Sequence, residues 1–288
     1  MSTPPILYKY IRTEHALTVL QNLKLKLTPP IEFDDPFEFL MRVEGSMNRR
    51  RVGKMMDRNS HIRLVYELAL AKGLCSGDFK TFRRDFKANR EKHLRDAIRF
   101  AEPVLGNHLK GQFLVNLSKM YAVLCLSEVR DSILMWSHYA SGHRGIVLGI
   151  EIPPSWKIHQ VEYGNQRVAI DLAWNPNDER CQDMLRALVK AKGEDWKYER
   201  EWRALGQLDR LEQIQREGKV QYFAKMQPKF VKEILLGWRF PEGDMAEIIT
   251  LHKQWLPQAR LLKASLHDSE YRMIISDLQS SDPPPATR

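Results

Sequence analysis

The sequence predicts an α+β fold in which a β-rich core is interrupted by a basic helical insertion. Three observations carry that expectation. A strictly alternating stretch, LKLKL, lies near the N-terminus, and strand-like runs resume from Tyr121 onward. Between Met41 and Val115, Gly and Pro thin out and apolar residues recur at helical spacing. The same stretch holds 17 basic and 8 acidic residues, an excess equal to the whole chain's net charge of +9. The expected division is residues 1–40 and 116–277 for the β-core, 41–115 for the insertion and 278–288 for a disordered tail.

Taken in order, ILYKY after Pro4 and Pro5 reads as a short strand. Thr13 reads as the cap of a helix, TEHALTVLQN, that turns Leu17 and Leu20 inward. In LKLKL, Leu23, Leu25 and Leu27 share one face and Lys24 and Lys26 the other, so this is a half-buried strand stopped by Pro29 and Pro30. The acidic turn FDDPFEF follows, where Asp before Pro is ordinary turn chemistry. In the insertion, FKTFRRDFKANREKHLRDAIRF sets Phe79, Phe82, Phe86, Leu94 and Ile98 on one stripe and leaves Arg83, Arg84, Lys87 and Arg90 off it. Those aromatics read as core and not as a base-stacking platform, because they share the packing stripe.

Beyond the insertion, YAVLCLSE reads as a buried strand and DSILMWSHYA as a helix opened by Asp131 or Ser132. GIVLGIEI is a second strand, entered through Gly142 and Gly145 and closed by Pro153 and Pro154. IHQVEYG adds a strand, DERCQDMLRALVKAKG a helix ending at Gly193, and WKYEREWRALG a strand. VKEILLGW and ARLLKASL are two more, around a helix near EGDMAEIITLHKQWL, and SSDPPPATR reads as disordered.

Composition narrows the class. A chain of 288 residues that is 43% hydrophobic can bury a sizeable core. No apolar run approaches the ~20 residues of a spanning helix, and MSTPPILYKY lacks the order of a secretion signal. A cytoplasmic protein without a membrane partner is expected. Cys75, Cys125 and Cys181 are odd in number, far apart and outside any CxxC, which argues for reduced thiols and against a disulfide framework or structural zinc. Neither a Walker A motif nor a GxGxxG after a strand occurs. His138 and His143 miss the i, i+4 zinc spacing, and Ser127 lacks a GxSxG elbow. The regional basicity, with Arg49, Arg50 and Arg51 at its start, suits an anionic partner such as nucleic acid. A solvated helical face is its bland alternative.

KYEREWRAL holds the sharpest candidates. On a strand Glu199 and Glu201 share a face, and paired carboxylates can divide labour between orienting a substrate and stabilising developing charge or taking a proton. The bland alternative, an exposed strand face with Arg203 as ion-pair partner, is favoured by the spacing alone. Asp34, Asp35 and Glu38 form a second acidic group, which with the Glu199–Glu201 pair makes a metal-dependent nuclease conceivable, although three acids in one loop are no coordination set.

Several segments also resemble, in order, a bacterial and phage family of uncharacterised proteins: LYKYIR, then ALTVLQNLKLKLTPPIEFDDPFEF, LCLSEVRDSILMWSHYASGHRGIVLGIE, WKYEREWRAL and VKEILLGW. Its members read "fNDPfE", "lMWshYa..hkG" and "W.yEkEWR". The resemblance covers most of the chain outside residues 41–115 and the tail. More distantly, the order of motifs is similar to that of mono-ADP-ribosyltransferases, which implies a split mixed β-core binding NAD in an extended cleft. Carried onto this chain, the resemblance implies NAD contacts at Lys9, Tyr10, Ser127 and Tyr139, with Glu201 as the catalytic glutamate and Glu199 orienting the acceptor. Lys9 stands where many relatives carry histidine. It further implies a toxin or antiphage effector that needs no metal, has a nucleic-acid or protein acceptor, and could answer to an antitoxin. The Arg49–Arg51 cluster and the face of Arg83, Arg84, Lys87 and Arg90 would then hold a nucleic-acid acceptor. A non-catalytic nucleic-acid-binding protein is the alternative.

Overall fold

Strands form where the apolar residues alternate or run on, and the computed structural model describes them across residues 6–44, 49–171, 180–216 and 218–278. The chain opens with β1 (Leu7–Ile11), α1 (Thr13–Asn22), β2 (Lys24–Leu27), β3 (Arg42–Glu44), α2 (Arg49–Met56), α3 (Asn59–Ala71), α4 (Phe79–Ala88) and α5 (Arg90–Ser118). It continues through β4 (Tyr121–Ser127), α6 (Ile133–Tyr139), β5 (Ile146–Ile150), β6 (Ile158–Gln160), β7 (Glu162–Gly164), β8 (Ala169–Asp171), α7 (Arg180–Lys190) and β9 (Ala191–Gly193). The last third holds β10 (Glu201–Gln207), β11 (Glu212–Arg216), β12 (Lys219–Lys225), β13 (Val231–Leu236), α8 (Glu242–Trp255), β14 (Arg260–Leu266) and β15 (Met273–Asp277). The architecture is mixed α+β with one large mixed sheet. No helix among the described residues is long and apolar enough to cross a membrane.

Two compact units divide the chain. The first is Met1–Phe39, Asn116–Gln166 and Arg186–Arg288; the second is Leu40–Val115 with Arg167–Leu185. In the first, eight strands run in the order β15-β14-β13-β5-β1-β4-β10-β6. Neighbours are antiparallel except β13 and β14, which α8 joins as a crossover. Every residue of β5 is buried, because the strand has a packed layer on each side. Ile146, Leu148 and Ile150 meet α1 and α8 through Leu20 and Ile248, while Val147 meets Met135 and Trp136 of α6. Gly145, just before β5, is required: a Cβ there would lie 2.1 Å from the Ile11 carbonyl oxygen.

The feature that makes a site is the seam between β1 and β4. β1 pairs with β5 from Leu7 to Ile11, whereas its register with β4 is a single pair, Tyr8 opposite Ser127. β4 in turn follows β10 along its full length, with Glu201 opposite Ser127. The sheet opens beyond the Tyr8–Ser127 pair, and the Lys9 ammonium crosses the gap to the Cys125 carbonyl at 3.1 Å.

In the second unit α2, α3, α4 and α5 bury Val52, Met56, Ile62, Phe86 and Leu94 together, with Phe79 and Phe82 packed alongside. Asp78 caps α4 by accepting the Thr81 N–H at 2.9 Å. β3 and β8 pair in parallel.

Several elements differ from their sequence readings. The long helix FKTFRRDFKANREKHLRDAIRF breaks at Asn89, whose amide donates to the Asp85 carbonyl and ends α4. Arg12, not Thr13, is the N-cap of α1, and the Thr13 hydroxyl is buried without a hydrogen-bond partner. IHQVEYG splits into β6 on β10 and β7 on β9. The helix expected to reach Gly193 stops at Lys190, because residues 191–193 make their backbone bonds with β7 instead. Residues 178 and 179 of that helix reading, and the tail from 279, lie outside the described residues.

Candidate functional site

The stretch WKYEREWRALG is not one strand. Glu194–Glu199 forms a 3-10 turn, Arg200 takes a left-handed conformation (φ 45°), and β10 starts only at Glu201. A left-handed non-glycine residue costs about 1–2 kcal/mol, and the end of β4 holds this one in place. The Ser127 hydroxyl donates to the Glu199 carbonyl at 2.6 Å, and the Glu128 N–H donates to the Arg200 carbonyl at 3.1 Å. The Arg200 side chain turns out to Glu128, 2.5 Å away. Glu199 and Glu201 therefore converge through a kink and not through strand alternation.

Nor is the pair on a wet face. Glu199 and Glu201 are each 3% exposed, and Glu38 from the acidic turn joins them. Two cations complete the cluster. Arg203, fully buried, clamps Glu201 with Nε to Oε1 at 2.8 Å and Nη2 to Oε2 at 2.9 Å, and also bonds Glu38. Lys192, its side chain 6% exposed, reaches Glu199 at 2.5 Å, Glu201 at 3.0 Å and Glu38 at 3.4 Å. The Arg203 guanidinium lies over Phe39, and the Lys192 ammonium over Trp196 at 5.1 Å. The Tyr139 hydroxyl donates to Glu199 Oε1 at 2.6 Å, and Tyr163 accepts the Glu201 N–H at 2.7 Å.

Burial and charge compete here with different outcomes. At Glu201 burial favours the neutral acid, but the Arg203 and Lys192 charges prevail and hold its pKa down to about 2. At Glu38 burial prevails, and its pKa is raised. Lys192, although burial works against it, is held protonated by Glu201, Glu38 and Glu199. Burial lowers Lys9 and raises the Cys125 thiol beside it.

This cluster borders a cleft of about 500 Å³, whose walls include Lys9, Tyr139, Cys125, Trp196 and the three glutamates. That volume lies within the roughly 300–1,000 Å³ of small-molecule sites. Of the residues singled out in the sequence, Lys9, Tyr10, Ser127, Tyr139, Glu199 and Glu201 all line it. Their hydrogen-bonding capacities differ. Tyr10 donates its hydroxyl to the Val129 carbonyl at 2.8 Å and sets its ring edge-on to Trp136. Ser127 donates to Glu199 and accepts the Val129 N–H, so both residues shape the wall. Asp34 and Asp35 line the same cleft, but the carboxylates that converge with the Glu199–Glu201 pair do so around Lys192 and Arg203. Among the described residues no group of three His, Cys, Asp or Glu side chains is arranged to hold a metal ion.

The basic residues of the second unit have a different setting. Arg90 forks onto Asp57 at 2.7 and 2.9 Å and reaches Glu91 at 2.8 Å, Arg49 also pairs with Glu91, and Arg84 meets Asp85 at 3.2 Å. Arg50 and Lys87 are exposed, Arg83 is half-buried, and the Arg51 side chain lies outside the described residues. The expected cationic face is thus threaded with carboxylates. His138 and His143 bond to Tyr198 and Ser137, not to each other. Cys75 and Cys125 are free thiols, and the side chain of Cys181 lies outside the described residues.

Sequence reasoning missed Lys192. A lysine after a helix reads as a partner of the helix dipole, and nothing local marks it as the centre of three carboxylates.

Fold and site together define a mixed α+β protein with a charge-compensated carboxylate cluster facing a cleft of about 500 Å³. Residues 135–204 match the profile of a family described as a protein of unknown function, DUF2971. That segment runs from Met135 in α6 to Ala204 in β10 and contains Tyr139, Lys192, Glu199, Glu201 and Arg203. No curated protein and no solved structure matches the chain.

Proposed function

We propose that the first unit is an NAD-consuming mono-ADP-ribosyltransferase with a split mixed β-core, acting as a toxin or antiphage effector on a nucleic-acid or protein acceptor. One observation carries the reading: an ionised, arginine-clamped Glu201 stands with Glu199 at the side of a cleft that opens where β1 leaves β4. The donor fits the lining, which offers the Lys9 amine for a diphosphate and aromatic rings at Phe33 and Trp196 for a flat ring. The effector role rests on the resemblance to a bacterial and phage family.

NAD supplies a C1′–nitrogen bond whose electron pair leaves on the nicotinamide while C1′ takes the acceptor's lone pair. Glu201 stabilises the positive charge that develops at C1′, and Arg203 fixes the plane of its carboxylate beforehand, so little reorganisation is needed. Glu199, oriented by Tyr139 and Lys192, takes the proton the acceptor loses. Arg203 and Lys192 keep Glu201 charged in a site whose burial would otherwise neutralise it, and Lys192 also bonds Glu199.

A ligand that binds only the folded protein raises its melting temperature. NAD is expected to raise that of the wild type in a concentration-dependent way, and Glu201→Gln to remove NAD consumption while remaining folded. A folded wild type whose melting temperature ignores millimolar NAD would overturn the reading.

A further inference from the structure

A second cavity of about 260 Å³ adjoins the cleft and shares Lys9, Arg12, His15, Lys26, Thr28 and Tyr139 with it. From there the two cavities diverge in charge. The cleft continues to the three glutamates, whereas the second cavity continues between α1, β2, β11 and β12 to Lys24, Arg216, Asn22 and Gln221. Among the described residues none of its lining side chains is acidic. Lys24 pairs with Glu212 at 2.5 Å and Arg12 is attracted by Glu14 in the adjoining cleft, while Lys26 and Arg216 form no ion pair with a described carboxylate. Cations gathered in one wall repel one another, and an anion relieves that repulsion.

The side-chain amides of Asn22 and Gln221 line the cavity beside these cations. A phosphate carried on a sugar and base offers an anion to the cations and donors and acceptors to the amides, which is the chemistry of a nucleotide.

We propose that this cavity seats a nucleotide phosphate of the acceptor, so that the molecule modified is a nucleotide or a nucleic-acid strand and not a protein. The inference rests on the transferase reading, because the carboxylates next door are taken as the reacting site. The shared residues Lys9 and Tyr139 then lie between donor and acceptor, which is where the transferred group must pass.

Arg216 and Gln221 line only the second cavity, so Arg216→Glu with Gln221→Glu makes it acidic without touching the cleft. Three probes would be measured on wild type and variant: a fluorescein-labelled single-stranded 12-mer, AMP, and NAD protection against heating. The expected result is oligonucleotide binding weakened at least tenfold, with a salt slope shallower by about one, and unchanged NAD protection. The same loss for AMP, with no wild-type binding of the 12-mer, assigns a free nucleotide as the acceptor. Equal affinities in wild type and variant for both nucleotide probes overturn the proposal, and so does a matching loss of NAD protection, which would give the cavity to the donor. Failure of the transferase reading looks different: no NAD protection in the wild type, with the charge-reversed variant still losing phosphate binding.

Discussion

Arg203 and Arg90 make nearly the same bonds in different solvents. Each forks onto one carboxylate, at 2.8 and 2.9 Å for Arg203 on Glu201 and at 2.7 and 2.9 Å for Arg90 on Asp57, and each reaches a second acid. The Arg203 side chain is 0% exposed and Glu201 4%, against 35% for Arg90 and 50% for Asp57. Water screens the exposed pair and offers each partner a substitute. In the first unit no substitute exists, so each ion depends on the others and desolvation must be offset by contact. Geometry alone therefore says little about function in this chain. What singles out the Glu199–Glu201 site is that its charges are both buried and turned toward an open cleft.

The widest contrast is expected from removing the cations. Arg203→Met or Lys192→Met leaves carboxylates unpaired in the interior and should cost about 3–5 kcal/mol of stability. Urea unfolding followed by the fluorescence of core tryptophans such as Trp136 and Trp202 reads it. A Lys192→Met, Glu199→Gln double variant that recovers part of the loss would sharpen the comparison, because it restores the charge balance.

Acid comes next. An unfolded glutamate takes its proton near the ordinary 4.5, while native Glu201 holds out to about 2. The unfolded chain thus binds more protons in that window, and stability falls as pH drops from about 5 to 2, by about 3 kcal/mol from this residue. Glu38, raised by burial, contributes in the opposite direction and offsets part of it. Stability curves between pH 2 and 6 should be flatter for Glu201→Gln than for the wild type.

Tyr139→Phe removes one charge-assisted hydrogen bond to Glu199, worth about 1.5–3 kcal/mol. Were Glu199 only structural, stability would fall and nothing else would change; the transferase reading also requires loss of turnover. Smallest of all, Arg90→Met should barely move the helical melt, because its partners are solvated. A large destabilisation there would break the comparison.

What the sequence disclosed follows from range. The all-buried β5 and the half-buried β2 were legible because burial on one or both faces writes itself into adjacent residues. Glu199 and Glu201 were also legible as a pair, but for the wrong reason: alternation predicts a shared face, whereas a left-handed Arg200 pinned by Ser127 and Glu128 brings them together. Lys192 and Glu38 were illegible in their roles. Glu38 lies far from β10 in the chain and Lys192 sits in the short strand β9, and only the pairing of β9 with β7 and the fold of the acidic turn bring them to Glu201. The cleft entered only through the resemblance and not through any local pattern, since it arises from β1 leaving β4 after one residue pair.

Transfer of label from adenine-labelled NAD, into a lysate separated into protein, RNA and DNA, tests the central claim most directly. Wild type and Glu201→Gln would be compared at equal folded concentration. The account predicts, with wild type, label in the RNA or DNA fraction or conversion of NAD into a labelled nucleotide product, and neither with the variant. Folded wild type that neither transfers label nor consumes NAD would contradict it, and the cluster around Lys192 would then be a buried ion network without this chemistry.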